Sequence, residues 1–153
     1  MLGLKVHSLL LCALVFTLAG CQAGTAPDGA RTQAESTRGA YQQIGYNSVL
    51  STHVEAVSQQ VNGVDEAVSV VMGKDVSVAL RVSGIDRFRL KGIKKEVSTK
   101  LKRDLSDRYT IHVTTDKKLF RDLVNIQGKL NHGQGKPKEL MKTYKKINDD
   151  MHG

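Results

Sequence analysis

Two groups of side chains in this chain have the types and spacing to do chemistry: a thiol at Cys21 and a run of cations between Asp86 and Asp104. Cys21 closes an apolar run, and the second cysteine, Cys12, lies inside that run. A chain cut before Cys21 keeps one thiol, at its first position. That excludes a disulfide, a cysteine-based metal site and an internal thiol nucleophile. From Asp86 to Asp104 there are eight basic residues (Arg87, Arg89, Lys91, Lys94, Lys95, Lys100, Lys102, Arg103) and three acidic ones (Asp86, Glu96, Asp104). Such a run is either a solvated helix face or a contact for an anionic surface. His53, His112, His132 and His152 fall on segments that read as a helix, a strand, a loop and the terminus. Metal ligation needs convergence, and this scatter does not offer it. Serine elbows, His-Glu-x-x-His, Walker loops and Gly-x-Gly-x-x-Gly are missing. Gly133-Gln134-Gly135-Lys136 has phosphate-loop residue types, but no strand precedes it, and it reads as a linker. Glu96 and Lys100 are an ordinary i, i+4 helix pair. No catalytic residue, metal or cofactor is expected.

The chain has 153 residues and a formal net charge of +8. That balance suits nucleic acid, anionic lipid or an acidic polymer. Trp is absent and aromatics are 5% of the residues, so no stacking platform accompanies the lysines and nucleic acid is not an expected partner. Residues 1–20 read as an export signal, with Lys5 as the positive end and Leu9 to Leu18 as an apolar stretch too short to span a bilayer. Leu18-Ala19-Gly20-Cys21 resembles the lipobox of bacterial lipoproteins. On that likeness, small residues at 19 and 20 fit a peptidase pocket, and Cys21 takes a diacylglyceryl thioether. Residues 21–47 are rich in Ala, Gly, Thr, Ser and Gln without apolar periodicity, and read as a tether.

The elements that must position these groups follow. Leu50, Val54, Val57 and Val61 share one face of a helix over 49–61, with Asn47 or Ser48 as N-cap and Gly63 as its stop. Val68, Val70 and Met72 alternate along one strand, and Val76, Val78, Leu80 and Val82 along a second, joined at Gly73-Lys74-Asp75 as a hairpin. Ile93, Val97, Leu101 and Leu105 recur every four residues in a helix over 89–107. Lys91, Lys95 and Lys102 lie on its far face, the proposed basic surface. Tyr109, Ile111 and Val113 mark a third strand, and Asp116 caps a further helix bearing Phe120, Leu123, Val124 and Leu130. Leu140, Met141, Tyr144 and Ile147 mark a last, weakly amphipathic helix over 138–148.

The order helix-strand-strand-helix-strand-helix predicts an α+β fold: a small two-layer sandwich with a three-stranded sheet and helices on one face. The third strand joins either the first or the second. Ser69, Ser77, Arg81, Thr110, His112 and Thr114 are then expected on an open polar face, with His112 at the surface. The expected organisation is a signal at 1–20, a tether at 21–47, an α+β domain at 48–127 and a basic tail with a short helix at 128–153. On the membrane side, each Lys near an anionic surface contributes about 1 kcal/mol. Each buried lipid CH₂ contributes about 0.8 kcal/mol. Two acyl chains on Cys21 therefore dominate anchoring, and the basic face can only orient the domain or bind an acidic partner.

Three features together are similar to the YhcN/YlaJ family of sporulation lipoproteins. They are the lipobox, the polar tether, and the run from Val61-Asn62-Gly63-Val64-Asp65 through Val76-Ser77-Val78-Ala79-Leu80-Arg81-Val82 to Ile111-His112-Val113-Thr114-Thr115-Asp116. The likeness covers about residues 49–126 plus the lipobox. It implies a spore-forming Gram-positive source and a lipid-anchored protein on the extracytoplasmic side of the spore or forespore inner membrane. It further implies a non-enzymatic role in sporulation or germination. The element order also resembles ring-building domains of secretion and sporulation channels, and BON domains, which are thought to bind membranes or lipids. The alternative is therefore a ring-forming or scaffold subunit of an extracytoplasmic complex, oligomerising through its sheet edge and helix faces. Expected partners are the membrane, an anionic lipid or acidic envelope component, and a second copy of the chain.

Overall fold

The computed structural model describes residue 39 and residues 41–152. Cys21, the export segment and most of the tether lie outside the described residues. Helix α1 spans Ser48–Gln59, and the Asn47 side chain accepts from Leu50 N at 2.9 Å to cap it. Strand β1 is Glu66–Met72 and β2 is Asp75–Arg81, antiparallel and joined at Gly73 and Lys74. A 3₁₀ helix at Gly84–Arg89 leads into α2, Leu90–Leu105. Strand β3, Thr110–Thr114, returns parallel to β2, giving the order β1-β2-β3. Helices α3, Lys117–Asn131, and α4, Pro137–Asp150, complete the chain. Between α1 and β1, Gly63 has φ +94°, and a Cβ there would meet the Asp86 and Ile93 side chains at 2.9 Å. Only glycine suits both the angle and the close approach.

The α+β class, the three-stranded sheet and the element order are as expected. The placing of the helices is not: they cover both faces of the sheet, making three layers. One core joins Val71, Val76, Val78 and Leu80 to Val54 and Val57 of α1 and to Ile93, Val97, Leu101 and Leu105 of α2. The second joins Val68, Val70, Met72 and Ala79 to Phe120, Leu123 and Ile126 of α3 and to Leu140, Tyr144 and Ile147 of α4. The reason is register. Val70 stands opposite Ser77, and Ser69 opposite Val78. Directly paired residues share a face. The apolar alternation of β1 is thus out of step with that of β2, and each face receives its own stripe.

The open polar face is corrected with it. Ser69 lies beneath α1, where its Oγ donates to Ser51 O at 2.8 Å, and Ser77 lies on the opposite side beneath α4. Both serines are buried. His112, paired with Ser77, is half-buried, Thr114 is half-buried, and Arg81 and Thr110 are exposed. Residues 128–153, set apart as a tail in the sequence reading, contain the whole of α4, whose Leu140, Tyr144 and Ile147 are buried in the second core.

The outer edge of β1 is closed by the chain itself. Asn47 N donates to Val71 O at 3.0 Å, and Ser51 Oγ accepts from Val71 N at 3.0 Å. Ser69 N donates to Glu55 Oε1 at 2.8 Å, and Gln127 Nε2 donates to Ser69 O at 2.9 Å. A strand edge paired in this way offers no template to another chain.

Candidate membrane-facing site

The amphipathic period of α2 presses Ile93, Val97 and Leu101 into the first core, where all three are fully buried. The same period turns Lys91, Lys95 and Lys102 to solvent along one stripe, with Lys94 and Lys100 half-buried at its flanks. Among the described residues no ion pair includes Lys91, Lys95 or Lys102. Asp104, on the same helix, is engaged by His53 of α1. Lys91, Lys95 and Lys102 are thus exposed on one side of α2 with no ion-pair partner among the described residues. Cys21, the other predicted site residue, is outside the described residues.

Just before that stripe lies a feature that period-counting misses. In the 3₁₀ helix, Ile85 is 81% exposed and Phe88 91% exposed. Positions i and i+3 of a 3₁₀ helix eclipse, so the two side chains stand one above the other as a single apolar knob. Arg87 and Arg89 flank Phe88. The sequence does carry a signal: Ile85 and Phe88 belong to no stripe of the following helix, and no strand claims them.

Behind the turn is a groove of about 590 Å³. Leu80, Val82, Leu90 and Phe120 make its apolar floor, and Arg81, Arg87, Lys117 and Arg121 bring four cations to its walls. Among the described residues no carboxylate is in its lining. The Arg81 guanidinium lies 4.6 Å from the centre of the Phe120 ring and pairs with Glu66 at the next strand. Asp116 caps α3 by accepting from Lys118 N at 2.7 Å and Leu119 N at 2.9 Å, which fixes where Lys117 and Arg121 emerge. Those backbone donors hold its carboxyl below the usual range.

The polar cluster under α4 is of another kind. Ser77 Oγ donates to Asn148 Oδ1 at 2.8 Å and lies 3.0 Å from Tyr144 Oη, which donates to Asp75 O at 3.2 Å. Burial drives the Tyr144 hydroxyl well above its ordinary range. The His112 and His152 rings are 4.0 Å apart. His112 is pushed below its usual value, first by burial and then by His152, with Asp75 opposing. Its Nε2 is buried without a partner. Ser77 is fully buried, and its bonds run to Tyr144 and Asn148, so the cluster pins α4 to the sheet. Among the described residues no three His, Cys, Asp or Glu side chains converge.

The family model for "Sporulation lipoprotein YhcN/YlaJ" matches residues 25–151. The chain belongs to this family. No curated protein and no solved structure matches it. The YhcN/YlaJ match takes in α4, which agrees with the burial of that helix in the second core. It begins at residue 25, just past Cys21. Among the described residues no helix is long and apolar enough to cross a membrane.

Proposed function

We propose that this YhcN/YlaJ chain is a lipid-anchored, non-enzymatic protein of the spore or forespore inner membrane, held on its extracytoplasmic side by a diacylglyceryl group on Cys21. Its work is in spore formation or germination. The carrying observation is the match of residues 25–151 to a family of sporulation lipoproteins, directly downstream of Leu18-Ala19-Gly20-Cys21. Two features support the rest. The buried hydroxyls of Ser77 and Tyr144 are committed to structural bonds. The exposed stripe Lys91, Lys95 and Lys102 suits an anionic leaflet or an acidic envelope partner, where each cation adds about 1 kcal/mol. That is small beside two acyl chains, so the stripe orients the domain and the lipid holds it.

The test separates these roles in sporulating cells. Cys21→Ala is expected to move the protein out of the salt-washed membrane fraction and to impair spore formation or germination. Replacing Lys91, Lys95 and Lys102 together with Gln is expected to leave the protein in the membrane and its stability within about 0.5 kcal/mol, because exposed positions cost little. The same variant should weaken the spore phenotype. A Cys21→Ala protein that stays membrane-bound and supports normal sporulation contradicts the proposal.

A further inference from the structure

The apolar knob and the groove behind it lie outside the lysine stripe and have no role in anchoring by Cys21. We infer that they form a second, lipid-selective membrane contact. Ile85 and Phe88 enter the acyl boundary of the bilayer, and the phosphate of an anionic phospholipid sits among Arg81, Arg87, Lys117 and Arg121. This inference rests on the membrane reading above.

Four observations carry it. Among the described residues Ile85, Phe88 and Val49 of α1 are the most exposed large apolar side chains, and Ile85 and Phe88 sit together on one short turn. Arg87, between them in sequence, reaches the groove wall, so knob and groove are neighbours. The groove gathers four cations; Arg81 is paired with Glu66, while Arg87, Lys117 and Arg121 form no ion pair among the described residues, and arginine's planar fork matches phosphate oxygens two at a time. Its floor of Leu80, Val82, Leu90 and Phe120 suits the glycerol and first methylenes of a lipid. A free phosphate would use the cations but would leave both that floor and the knob in water. The anchor also bears on the occupant. Residues 22–40 reach at most about 65 Å when fully extended, so a lipid on Cys21 confines the domain to the neighbourhood of the leaflet. Linked to its anchor, a contact too weak to hold the protein alone is populated.

The chain has no Trp, so Phe88→Trp installs a single indole reporter at an exposed position where it does not disturb a core. The full lipidated chain carrying this change is placed in vesicles of phosphatidylglycerol with phosphatidylcholine, and in vesicles of phosphatidylcholine alone. Both contain lipids brominated along the acyl chain as quenchers. The expected result is blue-shifted emission and strong quenching in the phosphatidylglycerol vesicles, with little of either in phosphatidylcholine. Each cation near an anionic leaflet is worth about a fivefold change in partitioning. Adding Arg87→Gln and Arg121→Gln should therefore lower the inserted-to-free ratio about 25-fold. A water-soluble short-chain phosphatidylglycerol should compete, and inorganic phosphate at matched ionic strength should not. Equal quenching in both vesicles, no quenching in either, an unchanged Arg87→Gln/Arg121→Gln variant, or competition by inorganic phosphate as effective as by the lipid would each overturn the inference. Retention on the vesicles after a salt wash reads the Cys21 anchor separately, so loss of one contact is not confused with loss of the other.

Discussion

The two faces of the sheet are packed by different physics. Under α1 and α2 the core is almost wholly aliphatic, built from Val54, Val57, Val76, Val78, Leu80, Ile93, Val97 and Leu101. Under α3 and α4 it is mixed, with Phe120, Tyr41, Tyr46 and Tyr144 among the aliphatics and Ser77 beneath them. Here each tyrosine ring fills space while its hydroxyl ties down a distant segment. Tyr41 Oη donates to Gly135 O at 2.8 Å, and Tyr46 Oη donates to Asn131 Oδ1 at 2.6 Å. Burial pushes the Tyr46 hydroxyl up to about 12. The first face depends on shape and tolerates volume-conserving change. The first face also buries the hydroxyls of Ser51, Ser58 and Ser69, bonded locally at α1 and the edge of β1, whereas the second adds tyrosine hydroxyls whose bonds reach distant segments and whose loss leaves buried polar atoms unpaired. That division leaves α2 stable from one side only, with its outer stripe available for contact.

The sharpest way to break the comparison is to remove one face. A chain ending at Gln127 loses Leu130 and all of α4, and uncovers Val70, Met72 and Phe120. It is expected to lose cooperative thermal unfolding altogether. A sharp melt like that of the full chain would mean that the second core is dispensable. Single substitutions grade the two faces more finely. Leu101→Ala leaves a cavity in the aliphatic core and is expected to cost about 2–5 kcal/mol. Tyr144→Phe keeps the ring and removes only the hydroxyl bonded to Asp75 O and Ser77, for a cost of about 1–3 kcal/mol. Denaturant melts of both variants check the order. A Tyr144→Phe protein as stable as the parent would make its hydroxyl network ornamental.

The smallest effect is a pH dependence confined to the mixed face. Burial holds His112 below its usual value of 6.5 in the folded state. Between that lowered value and 6.5 the unfolded chain binds the proton and the folded chain does not, so stability rises with pH there and falls on acidification. The melting temperature should fall as the pH drops below about 6.5, and His112→Gln should flatten that slope. Asp116 acts in a separate window. Its carboxyl is held below 3.8, so its contribution is present above that value and is lost only as the pH falls through the lower folded value. An identical slope in the His112→Gln protein would place the titration elsewhere.

How much of this was legible depended on whether a segment had one apolar parity or two. Helix α2 was readable because Ile93, Val97, Leu101 and Leu105 recur every four residues and the lysines occupy the remainder. The hairpin was readable from Gly73-Lys74. The phase of β1 was not, because Ala67 and Val71 on one side and Val68, Val70 and Met72 on the other are all apolar and buried. Its alternation fits either face until the turn sets Val70 against Ser77. A strand apolar at both parities is the mark of a sheet covered on both faces. Helix α4 was undervalued because five lysines (Lys136, Lys138, Lys142, Lys145, Lys146) surround Leu140, Tyr144 and Ile147, and glycines precede it. Of the proposed site, Cys21 rests on the likeness of Leu18-Ala19-Gly20-Cys21 to a lipobox, and the lysine stripe on the helical period of α2. The knob and the groove were not legible in this way, since Arg81, Arg87, Lys117 and Arg121 come from separate elements.

The central claim is that the protein is held to its membrane by lipid on Cys21. Mass spectrometry of the tryptic peptide spanning residues 21–31, taken from the membrane fraction of sporulating cells, tests it most directly. The account predicts a mature chain that starts at Cys21 and carries a diacylglyceryl thioether on its sulfur. A mature chain that starts elsewhere, or an unmodified Cys21 thiol in that fraction, would contradict it.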